Sequence, residues 1–203
     1  DTVSSVGVFL SADYLERWGA TVGATHTDVA FKPGLPDTSQ DSFFASGKWH
    51  MTPDGLHGLL TGRMDGQMSD NNDPTRNTDD LRVFAPQVSY LTYAKDFYLD
   101  VGYAYSTYFN GLKVTQFTPT VGFALHQGDT WIRSRGYFIT PSSPNRAQGK
   151  ENTTAIELTV KRWFAPGNPL RINNAQGVAL VGERIFAVDG DAGGVYNVAD
   201  LQK

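Results

Sequence analysis

Cysteine is absent from the 203-residue chain, which excludes a disulfide framework, a thiol nucleophile and any cysteine-ligated metal. This absence assigns no compartment, because a large β-domain outside the cytosol can be stable without disulfides. No apolar run reaches the roughly 18 residues of a transmembrane helix. Basic residues are scarce too: the formal net charge is -4 and is spread without blocks, so no basic stripe exists for nucleic acid and that class of partner is excluded. Helical periodicity is missing from every window. There is no initiator methionine; the chain opens on DTVSSVGVFL, and we read it as a mature or trimmed polypeptide whose targeting segment has been removed. The length suffices for one domain with a sizeable core or for one complete barrel.

What the sequence has in quantity is glycine, aromatic residues and strict alternation. In FYLDVGYAYSTYF, Phe97 to Phe109, the odd positions run Phe97, Leu99, Val101, Tyr103, while the even ones run Tyr98, Asp100, Gly102, Ala104, Ser106. Successive side chains of a strand point to opposite faces, so this stretch predicts a strand with one aromatic, apolar face and one small, polar face. GLHGLLTGRMDGQM (55–68) and TTAIELTVKRWF (153–164) divide in the same way, and similar strands are predicted at 3–16, 19–31, 42–52, 81–93, 112–127, 130–140 and 178–188. A soluble sheet would bury the apolar face in a core. A membrane barrel would turn it to lipid and line its lumen with the polar face. The mean hydropathy of -0.33 fits either, since a barrel averages its two faces.

The connections favour the barrel. ERWG (16–19), TPDG (52–55), AKD (94–96), QGD (127–129), APGNP (165–169) and DGDAGG (189–194) read as short turns, and between them lie KPGLPDTSQD, SDNNDPTRNTDD, PSSPNRAQGKEN and RINNAQG. Short turn, long loop, short turn is the pattern of an outer-membrane barrel. Asn110-Gly111 is the exception, a type I′ hairpin signal where the rhythm asks for a long loop. Most predicted strands reach the length of about 9 to 11 tilted residues that crosses a bilayer. Aromatics such as Trp18, Tyr90, Tyr93, Phe97, Phe109, Trp163 and Phe164 sit at strand ends, where an interfacial girdle would hold them. Pro86 and Pro119 argue mildly the other way, since each deletes a ladder donor inside an apparent strand and is expected at a bulge or an edge.

The segments DTWIRSRGYFITP and TAIELTVKRWFAPG, through Trp131, Arg133, Tyr137, Arg162, Trp163 and Phe164, resemble the outer-membrane β-barrel family named for YaiO. The likeness covers residues 90–170 and continues elsewhere only as rhythm. It implies an outer-membrane location and a single barrel; related barrels form the export pore of polysaccharide secretion systems, and the family brings no catalytic residues with it. The chain departs from such barrels in ending on NVADLQK, without a closing strand that finishes on an aromatic residue. With short turns periplasmic, strand 3–16 runs inward and the segment from Gly194 runs outward. Both ends would then lie outside, so we expect a strand before Asp1 and another after Lys203, the chain being a stretch of about 12 strands from a larger even-numbered barrel.

The polar face carries the candidate lumen-lining residues Lys48, His50, His57, Arg63, Asp65, Asp100, Arg133, Arg135, Glu157 and Lys161. They either line an aqueous pore and set its ion preference or pair across a narrow lumen and seal it. His26 and Asp28 share a strand face at a spacing that suits an acid–base dyad, and His57, Thr61 and Arg63 also share a face, but no nucleophile motif accompanies them and the blander reading is structural or solvated histidine. Asp65 with Glu157 is a formal carboxylate pair for glycoside hydrolysis. Asp70, Asn71, Asp73, Asp79 and Asp80, and Asp189 with Asp191, offer hard oxygen ligands without the spacing of a calcium loop, and are residues that turns use anyway. Arg146 and Lys150 are candidates for lipopolysaccharide phosphates.

The sequence therefore reads as one all-β domain over residues 1–203, an antiparallel up-and-down transmembrane β-barrel of the bacterial outer membrane. Its expected role is a passive channel or export conduit for a polar solute or glycan, without cofactor, metal or catalytic residues. Its expected partners are outer-membrane lipid, lipopolysaccharide and a glycan or a protein secretion or envelope complex. The alternatives are an outer-membrane enzyme acting on lipid or glycan, and a soluble β-sandwich or lipocalin-like binding protein.

Overall fold

A computed structural model of the chain describes residues 2–15, 17–30, 37–72, 79–125, 128–164 and 173–188. These form ten strands: β1 (Thr2–Tyr14), β2 (Trp18–Ala30), β3 (Thr38–Met51), β4 (Gly58–Asn71), β5 (Leu81–Thr92), β6 (Phe97–Thr107), β7 (Lys113–Leu125), β8 (Thr130–Pro141), β9 (Thr153–Trp163) and β10 (Asn174–Gly182). Each pairs antiparallel with the next, in one sheet of order β1 to β10. Helical turns are short, as at Phe109–Gly111 and Pro144–Ala147. The all-β, up-and-down reading holds; ten strands are described against the twelve expected.

The register explains why alternation was so legible. Across β6 and β7, Leu99 faces Val121 and Tyr103 faces Phe117 on one side of the sheet, while Asp100 faces Thr120 and Ala104 faces Gln116 on the other. The first row is exposed and the second buried. Bulky residues are paired with absent ones: the ring of Trp49 lies over Gly62 and that of Phe9 over Gly23, each filling the space that a Cβ would need. A single sheet buries one of its faces only by curling over it, so the buried polar side is the inner face and the exposed apolar side the outer.

Tight connections at 15–17, 52–57, 93–96 and 126–129 define a turn end, and 31–37, 72–80, 108–112 and 142–152 a loop end. Asn110 and Gly111 are both left-handed, with φ of +56° and +70°, but the turn closes through Gly111 N–H on the Tyr108 carbonyl and Tyr108 N–H on that of Leu112, a three-residue loop in place of the expected two-residue type I′ turn. One connection breaks the sorting. The connection from β9 to β10 spans 164–173 at the turn end; the turn expected at 165–169 lies outside the described residues, and β10 begins at Asn174, inside the loop expected at 171–177 and before the predicted strand start at 178. Residues 31–36, 73–78, 165–172 and 189–203, which include the predicted turn at 189–194 and the segment from Gly194, lie outside the described residues.

Pro86 and Pro119 are neither at bulges nor at edges. The β5–β6 register runs Phe84 to Tyr105 and resumes at Gln87 to Gly102 without a slip, and β7–β8 runs Phe117 to Phe138 and resumes at Thr120 to Arg135. Each proline drops ladder bonds on one side only, and keeps its place opposite Met64 or Val101 on the other. The intact pairing on that second side holds the strand in line, so the expected bulge is not needed.

Candidate functional site

The inner face has a polar middle. Asp65 on β4 is buried, accepting from Ser46 Oγ at 2.6 Å and from Arg63 Nε at 2.9 Å. Asp100 on β6, also buried, accepts from the Tyr98 hydroxyl at 2.7 Å and from the Gln87 amide. Arg135 on β8 donates through Nε to Thr120 Oγ1 at 3.1 Å. Glu157 on β9 takes Arg133 Nη2 at 3.4 Å and the Tyr137 hydroxyl at 3.3 Å. Asp65, Asp100, Gln87, Gln116, Arg135 and Tyr137 share one cavity of about 30 Å³, the room of about one water molecule. Charges buried here are compensated by neighbours on the same face, as burial requires.

Towards the loop end, the inner face of β5 to β9 changes character. Leu81, Val83, Ala104, Val114, Tyr137, Ile139 and Ala155 are buried there, together with Tyr108, Leu112 and Ala147 from the connections. What covers them is the segment after β10. Gly182, with φ at +113°, turns the chain out of the sheet, and residues 183–188 cross the inner face as a strap. Ile185, Phe186 and Val188 are buried in the apolar cluster, and the Phe186 ring lies 4.9 Å from that of Tyr108. Full burial of such side chains contributes about 1.5–3 kcal/mol each. Two polar attachments add direction. The Gln116 amide closes a two-bond ring on Val188, donating to its carbonyl at 2.6 Å and accepting from its N–H at 2.8 Å. Arg184 stacks on the Tyr137 ring at 4.7 Å and reaches Glu157 at 3.9 Å.

Of the sequence-predicted residues, Lys48, His50, Arg63, Asp65, Asp100, Arg133, Arg135, Glu157 and Lys161 occupy inward positions of their strands. Lys48 pairs with Asp13 at 2.8 Å, His50 Nδ1 meets Thr61 Oγ1 at 2.8 Å, and Lys161 sits over the Trp163 ring. His57 is in the 52–57 connection, off the strand, so the grouping with Thr61 and Arg63 does not form. His26 does meet Asp28, at 3.3 Å, and adds Asp41 at 2.7 Å, but the three lie exposed on the outer face, away from the polar cavity. Arg146 is bonded to the Phe109 carbonyl and Lys150 to Glu183, so both candidate phosphate ligands have protein partners.

Among the described residues no group of three His, Asp or Glu side chains is placed to hold a metal; Asp79 instead accepts from the Asn71 and Asp80 amides in its turn, and Asp73, Asp189 and Asp191 lie outside those residues. Sequence reasoning missed the strap, with Arg184, and the Gln116 side chain that holds Val188. The signal was there: Ile185 to Val188 is an unbroken apolar run, which alternation does not produce. Against known proteins, the chain matches no family model, no curated protein and no solved structure. The likeness to the YaiO family thus rests on Trp131, Arg133, Tyr137, Arg162, Trp163 and Phe164 alone.

Proposed function

We propose that this chain forms the wall of an outer-membrane β-barrel whose polar inner face lines a passage for a polar solute or glycan. One observation carries the reading: the sheet is inverted, with Asp65, Asp100 and Arg135 buried inside while Phe43, Met64, Val88, Leu99, Phe117 and Ile156 stand exposed outside. In water that arrangement wastes the hydrophobic term that drives folding; in lipid it is the favourable one. No second layer lies on the outer face among the described residues, so the sandwich alternative has no partner for these side chains there.

The height of the apolar band fits. On β3 it begins at Trp49 and ends at Asp41, beside His26, Asp28 and Asp70 at the loop end. That span is about 27 Å along a strand and about 20 Å once tilted as barrel strands are, close to the roughly 25 Å band of such barrels. Closure is also prepared. β1 and β10 run antiparallel, and following the pairing strand by strand from Val178 leads to the level of residue 17, beyond the turn end of β1. Ten strands tilted by about 35–45° require a stagger of about ten residues or slightly more around the ring, and a step of that size brings β10 opposite the middle of β1. The edges can therefore meet directly or through further strands added in pairs.

The test is gel mobility of unheated against boiled protein from its membrane fraction. A closed sheet with every backbone group paired resists detergent when cold, so a heat-dependent shift and extraction by detergent alone are expected. Protein in the soluble fraction with no shift would overturn the proposal.

A further inference from the structure

The strap raises a problem for any passage: it lies across the inner face at the loop end, with Val188 against the polar cavity. We infer that residues 183–188 form a releasable stopper for the loop-end mouth, held by the Arg184–Glu157 pair and by the Gln116 amide on Val188. The inference rests on the reading of the inner face as a passage and adds to it how the passage is regulated.

The way each attachment is built argues for release. Glu157 does not depend on the strap, because Arg133 and the Tyr137 hydroxyl remain bonded to it when Arg184 leaves. No carboxylate is orphaned by opening, so the polar groups of the wall are satisfied with the strap and without it, while the apolar contacts of Ile185, Phe186 and Val188, which opening gives up, make the closed state the resting one. The Gln116 ring is made to backbone groups of Val188, and water in an opened lumen can replace both bonds. At the other end of the strap, Lys150 from the 142–152 loop holds Glu183 at 2.9 Å, with both side chains exposed. That pair ties the strap to a loop at the mouth, where a solute arrives first. The hinge is Gly182, whose positive φ any other residue would strain.

The experiment uses the reconstituted full chain with Val188→Cys as its only thiol, read by reaction with a membrane-impermeant maleimide and by conductance across a planar bilayer. Glu157→Gln and, separately, Gln116→Ala are each combined with it. The expected result is slow labelling and small or rare openings in the parent, with a severalfold gain in both for either variant. Faster labelling without a gain in conductance, the parent already conducting, would overturn the stopper and leave the passage standing. Silence of every variant in the bilayer would overturn the passage and the stopper together. If neither reading changes in a folded variant, the strap is fixed wall and the inference fails.

Discussion

At the loop end the inner face of β3 and β4 and that of β5 to β9 are at the same level but differ in chemistry. On β3 and β4 it stays polar: Gln40 donates to Ser42, Ser42 meets Ser69 at 2.8 Å, and Gln67 donates to Ser69, a ladder of uncharged groups. On β5 and β7 to β9 the inner face instead carries Leu81, Val83, Val114, Ile139 and Ala155, with Ser106 of β6 and Thr153 of β9 as buried polar exceptions. Level along the strands cannot explain the difference, since both regions share it. The strap can: apolar inner residues are found where residues 183–188 cover them, with Phe44 of β3 at the margin of the same cluster. On β3 and β4 the buried side chains bond to one another along the sheet instead.

Three substitutions probe that contrast. The largest effect is expected from Tyr137→Ala. Tyr137 is fully buried, with its ring under Arg184 and its hydroxyl on Glu157, so it joins the apolar and polar parts. Truncating a buried aromatic costs about 3–5 kcal/mol, read as a lower guanidinium midpoint for the heat-modifiable band; a loss under about 1 kcal/mol would mean the strap does not pack there. Next comes Val121→Arg, which places on the outer face, beside Thr120, the charge that Arg135 carries within. In lipid an arginine near mid-strand costs about 2–4 kcal/mol, while on a water-exposed face it would cost within about 0.5 kcal/mol. The smallest is Ser69→Ala, which removes the shared hydroxyl of the polar ladder and costs about 0.5–1.5 kcal/mol. A loss as large as that of Tyr137→Ala would show that the ladder, not the strap cluster, organises the loop end.

Much of this was legible in the chain. Strand positions, their faces and a short left-handed turn at Asn110-Gly111 follow from alternation and turn chemistry, which are local, although that turn takes in Phe109 as a third residue. Nine of the ten candidate lumen residues occupy inward positions because each lay on a strand whose parity was plain; His57 failed because the strand starts at Gly58, one residue after it. β10 was misjudged for a related reason. Its outer positions Ala175, Gly177 and Ala179 are small, so the two faces contrast weakly, and the apolar run Ile185 to Val188 drew the predicted strand past its true end at Gly182.

What the sequence determined by itself is the period: side chains of a strand alternate, so polar and apolar positions that alternate select strands and their parity without reference to anything distant. What only the tertiary structure decided is which long-range partners those positions find. Asp65 and Asp100 come to one cavity with Arg135 because intervening strands curl, and Gln116 meets Val188 across seventy-two residues of chain. Such pairings depend on register summed over many strands and on where the chain leaves the sheet, and no local pattern encodes that sum.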